Sequence, residues 1–76
     1  MMNKIREYIN PKGLEFHYKN NKLNIINYDK IVYLENDKII LLKDDKTITI
    51  KGDNLSLLKL LENEILIDGV IKQIDL

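Results

Sequence analysis

Short apolar runs recur along the chain every seven to nine residues, and pairs of polar, turn-forming residues separate most of them. Asn and Asp adopt left-handed backbone conformations at low cost and bond their own backbone, so such pairs between apolar runs indicate hairpin turns. Regular short strands at this spacing predict an antiparallel, all-β domain. The predicted strands are residues 14–19, 22–26, 30–35, 38–43, 46–51 and 70–76.

The polar pairs between these strands are the clearest local signals. Asn20-Asn21, Tyr28-Asp29, Asn36-Asp37 and Asp44-Asp45 each lie between two predicted strands. Asp68-Gly69, before the last strand, is the strongest turn signal, because glycine accepts a positive φ without strain. Hairpin turns joining successive strands predict a small antiparallel meander that folds into a two-layer sandwich or a roll.

The apolar pattern within the strands predicts how each is buried. In residues 46–51, Ile alternates with Thr, which indicates one buried face and one face in water. Residues 39–42 are apolar on both faces, so we expect them to be covered on both sides or to lie at an oligomer contact. In the last segment the alternation slips between Ile71 and Ile74, which predicts a β-bulge near Lys72-Gln73.

Two segments could be helical. Residues 3–9 could form a short N-terminal helix that ends at Pro11 and Gly13, so residues 1–13 are separated from a single domain over residues 14–76. Residues 54–62 fit a helix, because Leu is a good helix former, and they also fit a strand with alternate Leu side chains on one face. The local pattern leaves both alternatives open.

Composition narrows the possible functions. Ile and Leu supply 25 residues, a fraction too high for a disordered chain. Twelve basic and twelve acidic side chains give a net charge of zero, which argues against a dedicated binder of nucleic acid or anionic membrane. Without Cys there is no disulfide framework or thiolate metal site. The N-terminal residues lack the apolar stretch of a secretory signal, so we expect a cytoplasmic protein without membrane insertion.

The polar residues indicate no catalytic, cofactor or metal site. His17 is the only histidine and Ser56 the only serine, and no Gly-x-Ser-x-Gly surrounds the latter. Glu62, Glu64 and Asp68 are close in sequence but lack the spacing of a calcium-binding loop. Several aromatic residues lie near lysines in the first half, so a small nucleic-acid-binding β-domain stays open as an alternative.

One apolar pattern occurs twice. Ile48-x-Ile50-x-Gly52 is repeated 17 residues later as Ile65-x-Ile67-x-Gly69. The simpler interpretation is two strands that each end in a glycine at a tight turn. Two rungs of a roll or solenoid-like stack are the alternative, although repeat architectures need about three copies.

The two copies, with the residues that follow them, resemble the YabP/YqfC family of sporulation proteins, and the short YqfC branch in particular. That family has an alternating strand ending in Gly-x-Asn-Leu, a variable segment, and a second alternating strand ending in Gly-x-Ile. The resemblance covers residues 14–76. The positions that carry it are Ile48, Ile50, Gly52, Asn54, Leu55, Ile65, Ile67, Gly69 and Ile71.

The resemblance implies a non-enzymatic, cofactor-free role in endospore formation in a Gram-positive bacterium of the Firmicutes. YqfC-type members are encoded beside a larger membrane protein, so a membrane-anchored sporulation protein is the implied partner. The family pattern also favours a strand over residues 55–61. We expect Gly52 and Gly69 to be turn residues and Asn54 to bond local backbone.

A self-assembling structural or adaptor domain unrelated to sporulation is the other open function. Such a domain would form a homo-oligomer through an exposed strand edge or through residues 39–42. The apolar, uncharged composition of a chain this short, with no disulfide to support it, favours contact with a partner or with itself over an isolated monomer.

Overall fold

The described part of the computed structural model, residues 13–76, is a single six-stranded antiparallel sheet, which confirms the all-β prediction. The predicted N-terminal helix lies outside the described residues. The strands are β1 (Glu15–Lys19), β2 (Lys22–Ile26), β3 (Lys30–Leu34), β4 (Lys38–Lys43), β5 (Lys46–Leu60) and β6 (Glu64–Asp75).

Two tight hairpins form where the polar pairs predict them. Asn20 and Asn21 join β1 to β2 with φ of 54° and 62°, and Asp44 and Asp45 join β4 to β5 with φ of 51° and 64°. Two consecutive positive φ values define a type I′ turn, whose twist matches that of the flanking strands. Because these turns fix the register, β2 and β4 begin and end at the predicted residues.

Residues 54–60 belong to β5, so the helical alternative for this stretch is wrong. Leu57 pairs with Ile67 and Leu60 pairs with Ile65 on β6. Pairing with β6 satisfies backbone groups on one side of this stretch, and Leu55, whose N–H donates to the carbonyl of Asn36 at 2.7 Å, is buried. The preference of Leu for helix is a few tenths of a kcal/mol per residue, which such tertiary contacts outweigh.

The strand order β1-β2-β6-β5-β4-β3 requires the sheet to fold over on itself. In a flat sheet, β2 and β3 would lie four strand spacings apart, about 19 Å. The chain from Ile26 to Lys30 spans at most about 14 Å. The end of β2 and the start of β3 can therefore meet only if the sheet is bent.

The bend divides the sheet into two halves that share one core. Of β6, only residues 64–68 pair with β2, and on their other side these residues pair with residues 56–60 of β5. Together with β1, which pairs with the other side of β2, these segments form half-sheet A. Of β5, only residues 46–51 pair with β4. Together with β3 and residues 70–75 of β6, these segments form half-sheet B. The core takes side chains from both halves and the connections: Leu14, Leu23, Ile25, Tyr28, Ile39, Leu41, Ile48, Ile50, Leu55, Ile65 and Ile67.

Gly52 and Gly69 lie inside β5 and β6, at the bend, so the prediction that each ends a strand in a turn is wrong. A Cβ atom on Gly52 would overlap the carbonyl oxygen of Val70. A Cβ atom on Gly69, where φ is 126°, would lie 2.6 Å from the carbonyl oxygen of Asn54. Glycine is needed here because the two strands approach each other closely as they bend.

Tyr28-Asp29 also differs from the prediction, because it joins two strands that do not pair. The connection is held by backbone N–H groups: Asn27 donates to the carbonyl of Asn63 at 2.7 Å, and Asp29 donates to that of Leu42 at 2.8 Å. Between them Tyr28 is buried, and its hydroxyl donates to the carbonyl of Leu61 at 3.0 Å. This short crossover covers the end of the core where β5 turns into β6.

Burial raises the pKa of Tyr28 above its ordinary value of 10.0, which makes the crossover sensitive to pH. We expect Tyr28→Phe to lower the free energy of unfolding by about 0.5–1.5 kcal/mol near neutral pH, because a hydrogen bond is lost. Above pH 10 the unfolded chain releases the Tyr28 hydroxyl proton before the folded chain does, so the free energy of unfolding of wild type falls. The Tyr28→Phe variant has no such proton and does not show this loss.

The difference between the two proteins should therefore shrink as the pH rises above 10. Urea unfolding on both sides of that pH measures it. Tyr18→Phe is the matched control, since Tyr18 is exposed, and it should equal wild type throughout. A difference between Tyr28→Phe and wild type that widens with pH would contradict this account.

Candidate protein-binding site

The residues that carry the family resemblance form the scaffold around the bend. Ile48, Ile50, Ile65 and Ile67 are fully buried. In the paired strands, Gly52 lies opposite Ile71, and Gly69 lies against the backbone of Asn54. Asn54 contributes a left-handed backbone conformation, with φ of 53°. The two motif segments, separated in sequence, therefore meet at one place and fix the shape of the hairpin.

The predicted β-bulge near Lys72-Gln73 is confirmed. Lys51 pairs with Gln73 and Gly52 pairs with Ile71, which leaves Lys72 as an extra residue on β6. An extra residue reverses the side-chain alternation, so the apolar positions before and after it face the same side. The bulge is what allows the last part of β6 to present a continuous apolar surface.

Within the described residues, positions 70–75 of β6 are paired on one side only, because the ladder between β2 and β6 ends at Lys22 and Asp68. Between this free edge and the β1–β2 hairpin lies an open groove of about 360 Å³. Its walls are mainly apolar. The lining residues are Tyr18, Leu23, Ile71, Lys72, Gln73 and Ile74.

The polar side chains at the rim of the groove are paired with one another. The Lys72 ammonium lies 2.9 Å from the Asp53 carboxylate, and the Lys51 ammonium lies 3.6 Å from the Asp75 carboxylate. The Gln73 amide donates to the same Asp75 carboxylate at 2.8 Å. Exposed pairs of this kind stabilise the fold by about 0–1 kcal/mol each. These charges therefore have partners within the protein.

A second exposed apolar region follows β3, the strand at the other end of the sheet. Val32, Tyr33 and Leu34 are each about half exposed, and the Lys38 ammonium lies 5.9 Å from the centre of the Tyr33 ring. Val32 is an extra residue relative to β4 and forms a bulge. A bulge bends an edge strand and discourages pairing with another chain, so β3 is the better protected edge.

The predicted contact surface over residues 39–42 is covered on one face. Ile39 and Leu41 are fully buried in the core, whereas Ile40 and Leu42 lie half-buried on the outer face of half-sheet B. The groove and the β3 edge were not identified from the sequence. Both depend on which strands remain unpaired, and that follows from long-range topology rather than from any local pattern.

The polar residues considered as candidates for catalysis or metal binding do not come together at one place in the fold. The His17 ring Nε2 lies 3.1 Å from the Glu15 carboxylate on the exposed face of β1. Ser56 lies on β5, at the opposite edge of half-sheet A. Glu64 accepts a hydrogen bond from the Asn24 amide at 3.0 Å. Among residues 13–76, no three His, Asp or Glu side chains are placed to hold a metal ion.

The aromatic side chains do not form a common stacking surface. Tyr28 belongs to the core, Tyr18 lines the groove, and Tyr33 lies on half-sheet B. Binding of single-stranded nucleic acid uses aromatic rings that follow one another along a basic groove. The described aromatic residues therefore give no support to the nucleic-acid alternative.

No protein-family model matches the chain, and neither a curated protein nor a solved structure matches it. A helix long and apolar enough to cross a membrane is absent from the described residues. The groove, the free strand edges and the sequence motifs are thus the observations from which a function can be inferred.

Proposed function

We propose that this chain is a non-enzymatic protein-binding domain that takes up an extended segment of a partner protein in the groove beside β6. The observation that carries this proposal is the backbone edge of residues 70–75, which no strand of residues 13–76 covers, next to an apolar groove. An added strand gains affinity from main-chain hydrogen bonds and specificity from pockets that accept alternate side chains. Ile71 and Ile74 supply the walls of such a pocket.

The charge of the protein supports recognition of this kind. The net charge is zero, and the ionic side chains at the rim already have partners. Recognition of a nucleic acid or of an anionic membrane needs an excess of basic side chains. An extended peptide with apolar side chains at alternate positions needs no such excess.

The biological setting that we propose is endospore formation. This part of the proposal is supported by the Gly-x-Asn-Leu segment at Gly52 and by the Gly-x-Ile segment at Gly69. The partner would be a membrane-anchored sporulation protein, and the chain itself would be cytoplasmic and reach the membrane through that partner.

Deletion of the gene in an endospore-forming bacterium that encodes this chain tests the proposed setting. We expect fewer heat-resistant spores and unchanged vegetative growth, because the chain would act only during spore formation. Supplying the gene from a second locus is the control and should restore the spore yield. An unchanged yield after deletion, or a growth defect, would contradict a dedicated sporulation role.

A further inference from the structure

β1 is an open edge of the sheet. It is the terminal strand of half-sheet A, and within residues 13–76 no strand pairs with its outer side. Unlike β3, it runs against its neighbour β2 in a regular register without a bulge. A regular edge strand presents a row of unpaired backbone groups, which is a template for another strand.

The hairpin turn determines which backbone groups of β1 are free. In a two-residue type I′ hairpin, the residues that flank the turn, here Lys19 and Lys22, exchange hydrogen bonds. Hydrogen-bonded pairs alternate along an antiparallel ladder, so His17 and Glu15 also bond to β2. The N–H and C=O groups of Phe16 and Tyr18 consequently point away from the sheet.

We propose that β1 pairs antiparallel with β1 of a second copy of this chain, about a two-fold axis at His17. In that register the free groups of Phe16 meet those of Tyr18 in the second copy. Glu15 of each copy then lies opposite Lys19 of the other, on the face that they share with His17. The strand is thus self-complementary in charge and in its two aromatic positions.

Among residues 13–76, no carboxylate lies opposite Lys19, and the ionic neighbour of Glu15 is the His17 ring on the same strand. Lys19 faces another cation, Lys22, across the hairpin, and Glu15 faces Ile26. Like charges directly opposite each other destabilise a strand pair, and opposite charges stabilise it. The second copy would therefore give Lys19 the carboxylate that its own hairpin does not provide.

This pairing between two copies of the chain is a separate interaction from binding of the proposed partner, and it does not depend on the identity of that partner. The second copy's Phe16 would lie across from Tyr18, at the mouth of the groove, and extend its apolar wall. A five-residue edge buries little surface, so the dimer would depend on protein concentration.

Charge reversal tests the register on the full chain. Sedimentation of wild type from micromolar to millimolar concentrations, at low salt, should show reversible dimers. Lys19→Glu should weaken the dimer roughly tenfold, because two attractive pairs become repulsive. The double variant Glu15→Lys, Lys19→Glu should restore wild-type dimerisation. Lys30→Glu, the same charge change on β3, is the control and should have no effect.

A disulfide gives a second test, since the chain has no native cysteine. Residues on the axis would have Cα atoms about 4.5 Å apart, within the range of a disulfide. His17→Cys should therefore form covalent dimers under oxidising conditions. Lys19→Cys should not, because the two copies of residue 19 would lie about 13 Å apart along the strands.

Three results would overturn the proposal. One is a monomer at every concentration. Another is a dimer that Lys19→Glu leaves unchanged or that the double variant fails to restore. The third is equal cross-linking of His17→Cys and Lys19→Cys. None of these results bears on the spore yield, so they are distinct from failure of the proposed function.

Discussion

Replacing Gly52 with Ala is expected to unfold the domain. The added Cβ would overlap the carbonyl oxygen of Val70 on β6, and Leu55 lies 3.0 Å away on the other side, so the methyl group has no space. Relief would require β5 and β6 to separate at the bend that joins the two half-sheets. We expect a loss of at least about 3 kcal/mol, most of the stability of a domain this small.

Thermal unfolding followed by circular dichroism measures this loss, and Gly13→Ala is the matched control. Gly13 has a φ of 87°, but no described atom lies within 4 Å of a Cβ built there. The free energy of unfolding of that variant should fall by about 1–2 kcal/mol, which is the cost of holding a residue other than glycine in a left-handed conformation. If Gly52→Ala melted within a few degrees of wild type, the close approach of β5 and β6 would be wrong.

Much of the fold could be predicted because its turns are local. Asn20-Asn21 and Asp44-Asp45 can adopt the two positive φ values that a tight hairpin needs, so the strand ends next to these turns agree with the prediction. The bulge at Lys72 was also visible, since a change in the apolar alternation marks the extra residue. These features depend on a few neighbouring residues.

The remaining features depend on contacts distant in sequence. A glycine after an alternating strand suits a turn or a close approach of two strands equally well, and Gly52 and Gly69 belong to the second kind. Tyr28-Asp29 looks like a hairpin turn but crosses between half-sheets, because β2 pairs with β6. The groove could not be predicted for the same reason, since its walls come from β1, β2 and the end of β6.

Placing a carboxylate in the groove is expected to abolish function without unfolding the protein. Ile74 lines the groove and is 38% exposed, so Ile74→Asp should lower the free energy of unfolding by about 1–2 kcal/mol and leave the protein folded. A partner's apolar side chain would then meet a charge that has no pair, which costs far more than a lost apolar contact. Leu58→Asp is the matched control, because Leu58 is an exposed aliphatic residue on β5 that lies outside both the groove and the edge of residues 70–75.

The most direct test of the proposed function is the yield of heat-resistant spores in a deletion strain that carries either variant. If an extended partner binds in the groove, Ile74→Asp leaves the yield at the level of the deletion, and Leu58→Asp restores it to that of wild type. Circular dichroism of both purified variants verifies that they are folded. Restoration by Ile74→Asp as complete as that by Leu58→Asp would show that the groove is not the site through which this protein acts.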